Sequence, residues 1–379
     1  MIKQAFAPML GLFFATTLAA QNDLPFNVEE VTSFDEPWSM AFMPDGRMLV
    51  TEKKGNLIIV TRNGDKFPPV AGLPDVDYGG QGGLGDVALH PDFAENGMIY
   101  ISYVESGDGG VRGAAVARGK LVEGGRSPQF ENMEVIWRQY PKVLGRGHYA
   151  HRLLFDDEGY LWISSGDRQK FTPAQDMQSS LGKILRLHDD GSVPEDNPFV
   201  NYRDDDAFVD GNGVYGQIWS LGHRNPLGIA RDPDGRLWGI EMGPAGGDEL
   251  NLIKRGENYG YPVVSNGKHY DGRDIPNHDT RPEFRAPAIT WTPVISPAHL
   301  MVYGGEKFAN WKGNAFAAGL SGHAIVRIEL DGESAREVER YDMGARIRNL
   351  TEGPDGSIWV LEDERGSSQG RLLKLTPAS

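Results

Sequence analysis

From Asn27 onward, short apolar runs rich in Val, Ile, Leu, Trp and Tyr alternate with polar breaks, and patterning at the helical period is scarce. The breaks are dense in glycine and proline, 49 and 24 residues in all, which end strands and form tight turns. The chain therefore reads as all-β. One phrase recurs six times, a polar turn built on glycine followed by an apolar and often aromatic strand, at 44–50, 96–100, 157–162, 233–238, 312–316 and 354–359. A second phrase, a short strand with a basic residue near its end, occurs at 55–62, 182–186, 249–254, 324–329 and 370–374, and gives each unit an inner and an outer strand.

The turn glycines fall at 46, 97, 159, 235, 313 and 356, where hairpin turns require the positive φ that glycine takes without strain. Units of roughly 40–50 residues with about four strands each are the pattern of a propeller. Six copies predict a six-bladed β-propeller over residues 25–377, with insertions at 170–180, 189–213 and 266–285, where the spacing widens. An irregular sandwich with fortuitous repeats does not account for the preserved order of turn, aromatic strand and basic-ended strand.

Residues 1–20 read as an export signal: Lys3 supplies the positive region, 5–19 an apolar stretch, and 17–20 small residues for cleavage. The run is short for a membrane span and no stop-transfer pattern follows, so a periplasmic or secreted protein without stable membrane insertion is expected. The absence of cysteine excludes disulfides and thiolate metal sites. With 53 acidic against 38 basic residues, a net charge of -15, the chain repels nucleic-acid phosphates and anionic lipid surfaces.

Four features carry candidate chemistry. His148 and His151 lie together directly before a strand, where a histidine suits a general base or simply joins neighbouring loops. The loop 222–226, Gly-His-Arg-Asn-Pro, sets the planar cation of Arg224 beside the amide of Asn225, a match for a carboxylate or quinone oxygen, or else for backbone carbonyls between blades. Arg346 and Arg348 share one strand face, where two cations repel unless an anion sits between them; a polycarboxylate or a phosphate would serve. Gly243, Pro244, Asp248, Glu249 and Tyr259 form an oxygen-rich stretch of the kind that holds calcium, without the spacing of an EF-hand. Finally, no Gly-x-Ser-x-Gly elbow, His-Glu-x-x-His motif or phosphate-cradling loop occurs, which counts against serine hydrolases, zincins and nucleotide-binding folds.

In collinear order, 36–42 (Glu-Pro-Trp-Ser-Met-Ala-Phe), 81–84 (Gln-Gly-Gly-Leu), 89–93, 222–226, 243–251, 258–262 and 346–348 make the chain similar to the soluble pyrroloquinoline quinone (PQQ) dependent sugar dehydrogenases, the glucose/aldose and sorbosone dehydrogenase family. The resemblance implies a six-bladed propeller with PQQ over its central channel and an aldose substrate. It gives His148 the place of the base that takes the sugar hydroxyl proton, and Gln81 that of a residue lining the sugar site. Arg224, Asn225, Arg346 and Arg348 match the residues facing the cofactor. The carbonyls of Gly243 and Pro244 match those holding the calcium that polarises PQQ, and Glu249 and Tyr259 those of a second, structural calcium. Three positions depart from the family pattern: Ala150 and His151 replace two glycines after the base, and Ser321 stands where many members have a lysine. The resemblance leaves the sugar and the electron acceptor open. The alternatives are a calcium-dependent lactonase-type propeller and a propeller that binds without catalysing.

Overall fold

The computed structural model describes residues 24–202 and 213–378; the expected export signal at 1–20 lies outside the described residues. Six antiparallel sheets follow one another along the chain and form the six blades of a β-propeller. The innermost strands are Pro37–Phe42, Leu84–Leu89, Ala150–Phe155, Pro226–Arg231, Pro297–Val302 and Ile347–Glu352, and each touches the next around a ring. All six turn glycines join an innermost strand to the second strand of its blade, with φ between 66° and 85°. The strand after each turn, read from the sequence as the inner one, is thus second from the axis. The true inner strands escaped that reading because they carry polar residues, among them Ser39, Asp86, Arg152 and Asn349, all buried at the axis. The insertions fall in blade 3, between its second, third and fourth strands, and in blade 4, before Ile289–Trp291.

The core is divided into six hydrophobic clusters, one at each interface between adjacent blades. Successive side chains of a strand point to opposite faces, and a blade is covered on both. In Ile358–Glu362, for example, Ile358 and Val360 pack against blade 5 while Trp359 and Leu361 pack against blade 1. This is why the strands read as continuous apolar runs instead of alternating ones. The residue three after each turn glycine (Leu49, Tyr100, Trp162, Trp238, Phe316 and Trp359) faces the following blade in every unit. Buried indoles need a partner: Trp162 donates to Asp156 at 2.7 Å, Trp238 to Asp232 at 3.0 Å and Trp359 to the Ser357 hydroxyl at 2.9 Å.

Two devices finish the ring. The first strand of the described chain, Phe26–Ser33, is the outermost strand of the last blade, paired antiparallel with Arg371–Pro377. Blade 1 has three strands, and an irregular segment covers its edge. There Phe67 and Val70 donate to the Ile59 and Leu57 carbonyls at 2.9 and 2.8 Å, before Ala71 turns to Pro128 of blade 2 at 2.9 Å.

Trp359→Ala removes a fully buried ring from the interface of blades 6 and 1. The expected cost is about 3–5 kcal/mol, seen as a lowered thermal midpoint; an unchanged midpoint would contradict this account of the core.

Candidate active site

One rim of the propeller surrounds a cavity of about 790 Å3. Its walls come from every blade: Trp38, Gln81, Ala150, Leu227, Ser296 and Arg348 each represent a different one or the loop leading into it. Five Lys or Arg side chains line it (Lys53, Arg146, Arg346, Arg348 and Arg365) against Glu36, Asp363 and Glu364. The cavity is therefore basic inside a chain of net charge -15, and it favours an anionic guest.

His148 sits in the turn entering blade 3, flanked by Gly147, Tyr149 and Ala150, which line the cavity. The turn is held in an uncommon conformation. His148, Ala150 and His151 have φ of 50°, 57° and 58°, and facing them Arg168, Gln169 and Phe171 have 54°, 60° and 64°. Six non-glycine residues in the left-handed region carry strain that only the surrounding bonds sustain. Those bonds are visible: the His148 amide donates to the Gln81 side-chain oxygen at 2.7 Å, and the Gln81 amide to the Arg146 carbonyl at 2.8 Å. The buried guanidinium of Arg168 donates to the carbonyls of Gly147, Arg112 and Gly145 at 2.8, 2.7 and 2.6 Å.

Among the described residues the His148 ring has one polar partner, Asp167, with Nδ1 2.7 Å from Oδ1. Asp167 is fully buried, and its oxygens also accept the Gln169 and Phe171 amides at 3.0 and 3.3 Å. An ionised carboxylate only accepts, which assigns the proton of the neutral ring to Nδ1 and leaves Nε2 with the lone pair. Burial lowers the His148 pKa below the ordinary histidine value; Asp167 opposes this and the cations of Arg224 and Arg168 add to it. The ring is accordingly neutral at neutral pH. Asp167 was not singled out from the sequence, although its place in 164–167, Ser-Ser-Gly-Asp, at the polar end of a strand, was the available signal.

Of the two departures beside His148, Ala150 keeps a left-handed φ of 57° and His151 is accommodated by its neighbours. His151 is buried against Trp38, with ring centroids 5.0 Å apart and planes 9° apart, and its Nδ1 lies 2.7 Å from the Ser102 hydroxyl. Burial first, then Arg152 and Arg168, bring its pKa down to about 3. A Cβ at Gly85 would collide with this imidazole, so the glycine makes room for it. Ser321 bonds the Ser296 hydroxyl at 2.6 Å.

The arginine pair has its anion within the protein. Arg346 Nε reaches Asp363 Oδ2 at 2.9 Å and Arg348 Nη2 reaches Oδ1 at 3.1 Å. Burial of Asp363 works against its ionisation, but Arg348 and Arg346 outweigh it and hold its pKa below the usual carboxylate value. The repulsion that suggested an external polycarboxylate or phosphate is thus met by Asp363, and two cations over one carboxylate leave a net positive charge on this wall.

Arg224 and Asn225 are both buried. Arg224 Nη1 donates to the carbonyls of Met242 at 2.9 Å and Gly243 at 2.6 Å, and Nη2 to the Tyr270 hydroxyl at 3.2 Å. Its amide donates to Glu241 at 2.6 Å. The reading of a buried arginine on backbone carbonyls therefore describes most of its bonds. Arg224 Nε and Asn225 Oδ1 are buried without a partner among the described residues, which marks a site with polar capacity to spare.

Gly243, Pro244, Glu249 and Tyr259, chosen from the sequence as oxygen donors, line one small cavity of about 10 Å3 together with Arg224 and Glu241. Among the described residues the Glu249 carboxylate accepts one hydrogen bond, from the Asn251 amide at 3.2 Å. Burial, then the neighbouring carboxylates Glu241 and Asp248, push its pKa well above the usual range. A buried carboxylate with one donor beside a space for a single small occupant fits an oxygen-seeking cation. The Tyr259 hydroxyl points elsewhere, to the Leu252 carbonyl, so that residue can contribute only its backbone oxygen, which lies 3.1 Å from His278 Nε2. Among the described residues no group of three His, Cys, Asp or Glu side chains is placed to hold a metal, so the donors that this cavity offers a cation are carbonyls and the Glu249 carboxylate.

The profile of the Glucose / Sorbosone dehydrogenase family matches residues 34–374. The chain belongs to this family. It is 38% identical over 360 residues to the aldose sugar dehydrogenase YliI of Escherichia coli, covering 93% of each chain. The crystal structure of the soluble aldose sugar dehydrogenase from Escherichia coli in the apo-form superimposes with a TM-score of 0.84 at 37% identity, over 93% of this chain and 100% of that one. The PQQ-bound aldose sugar dehydrogenase from Streptomyces coelicolor gives a TM-score of 0.74 at 27% identity, over 93% and 98%. Within this sugar dehydrogenase family, the rim cavity is the candidate active site.

The His148–Asp167 contact sets a direction that can be measured. Because Asp167 supports the protonated ring, Asp167→Asn is expected to lower the His148 pKa further, in an NMR titration of the imidazole. A rise would contradict the assignment of the pair.

Proposed function

We propose that this chain is an exported, PQQ-dependent dehydrogenase that oxidises an aldose at a CH–OH group, with His148 as the general base. The observation that carries this reading is a neutral histidine, fixed by Asp167 with Nε2 left to accept a proton, in the turn whose Gly147, Tyr149 and Ala150 line a basic cavity large enough for a carboxylate-bearing cofactor and a sugar ring. The PQQ-bound relative supports the choice of cofactor, and residues 1–20 support export. Among the described residues no helix is long and apolar enough to cross a membrane.

PQQ, when bound, supplies the acceptor for the hydride that leaves the sugar carbon. The chain's own residues do the rest. Gln81, whose side-chain oxygen is engaged by the His148 amide, offers its remaining amide hydrogens to the sugar and ties the sugar seat to the base. His148 takes the hydroxyl proton at Nε2, and Asp167 steadies the imidazolium that forms. Arg346 and Arg348, oriented by Asp363, meet the cofactor carboxylates, and Arg224 and Asn225 supply the buried polar edge next to Met242. Calcium fits the small cavity bounded by Gly243, Pro244, Glu249 and the Tyr259 carbonyl, one site where the resemblance implies two separate calcium ions. The excess of basic side chains on the walls separates this reading from a hydrolytic propeller, which needs carboxylates there.

Given PQQ and calcium, the purified protein is expected to reduce an artificial dye when offered aldoses; a folded protein that stays inactive would overturn the proposal. His148→Gln should lower kcat about 10²–10⁴-fold while PQQ stays bound. The pH profile of kcat should fall on the acid side through a pKa below the ordinary histidine value, about 6.5, since the base acts only when neutral. Glu249→Gln should raise the calcium concentration needed for stability in a thermal-shift assay, and an unchanged requirement would remove calcium from that cavity.

A further inference from the structure

Arg152 lies four residues beyond His148 on the innermost strand of blade 3, and its side chain is fully buried on the propeller axis. Its guanidinium touches all five other blades. Nε donates to the Leu227 carbonyl of blade 4 at 2.7 Å, and Nη2 to the Ala298 carbonyl of blade 5 at 2.6 Å. Nη2 also lies 3.4 Å from the Arg348 carbonyl of blade 6, Nη1 lies 3.5 Å from Asp86 of blade 2, and the group stacks 3.8 Å over the Trp38 ring of blade 1. Asp86 is the carboxylate that favours its charged form, and the Asp86 oxygens also accept from the Ser39 hydroxyl and the Leu153 and Val87 amides. Burial lowers the guanidinium to about 10, which leaves it charged at neutral pH. The carbonyls it binds sit close to site residues in sequence: Leu227 follows Asn225 by two, Ala298 follows Ser296 by two, and the third is Arg348 itself.

We propose that Arg152 is a positioning residue for the reaction, a single planar fork at the axis that fixes the strand of blade 3 that follows the His148 turn against the strand that follows Arg224 and Asn225 and the strand that carries Arg348. Lines of backbone at the centre of a propeller cannot pair with one another as sheet strands do, and the donors of one guanidinium, fixed in one plane, reach several of them at set distances. An ammonium at the same place keeps the charge but not the fork.

The inference rests on the quinone-dependent reading above, and the test separates the two. Wild type, Arg152→Lys and Arg152→Gln are compared in PQQ titrations followed by quinone absorbance and in kcat and sugar KM of the reconstituted proteins, all far below the unfolding range, and separately in thermal midpoint. A positioning role predicts that both variants lose tenfold or more in PQQ affinity and in kcat. Sugar KM should change less than threefold, because Gln81 is anchored on Arg146 and His148 and not on Arg152. If the variants only lower the midpoint and keep wild-type affinity and kcat, or if neither variant folds, Arg152 is a structural tie and the proposal is overturned. A wild-type protein that binds no PQQ would overturn the quinone-dependent reading and this inference with it.

Discussion

Closure of the ring is the constraint on which the rest of the molecule depends. No blade can bury both of its faces alone, so every strand needs a neighbour on each side, and the last blade obtains its outer strand from Phe26–Ser33. The site inherits this dependence. His148 comes from the entry to blade 3, Arg224 and Asn225 from the entry to blade 4, Ser296 from the entry to blade 5, and Arg346 and Arg348 from blade 6. These groups share one rim only when the ring is shut. The six interfacial clusters then make the scaffold rigid enough to hold strained loops at that rim.

Burial controls the electrostatics of the site. The surface is acidic overall, yet the cavity walls are basic, and the cations there persist because carbonyls and a few carboxylates share their hydrogen bonds. Histidines respond in the opposite way: His148 and His151 are both pushed toward the neutral form, one with a carboxylate against Nδ1 and the other with a serine hydroxyl. One fold thus keeps arginines charged and the His148 imidazole uncharged within one site, the condition that the proposed proton removal needs.

The six blades were legible in the sequence because the turn glycines and the apolar strands after them are local signals, and local signals survive in a one-dimensional string. The innermost strands were harder to see, since the axis is polar and Ser39, Asp86 and Arg152 break the apolar run. Among site residues, Gly243, Pro244, Glu249 and Tyr259 were chosen from one oxygen-rich stretch and do meet at one small cavity. Asp167 and Asp363 were not visible, because each derives its role from a partner 19 or 15 or more residues away and an isolated Asp in a loop is indistinguishable from a solvated one. Asp363 also explains the arginine pair without an external anion. The substitutions at Ala150 and His151 could be noticed in the sequence, but the accommodation of His151, through Gly85, Trp38 and Ser102, depends on contacts between blades.

The central claim is that the rim cavity is built to receive an anionic quinone. Titration of the cofactor-free wild-type protein with PQQ, with and without calcium and followed by quinone absorbance, tests it most directly. The account predicts a saturable spectral change that calcium strengthens and that Arg348→Ala weakens. A folded protein whose addition leaves the quinone spectrum unchanged at every calcium concentration would contradict it.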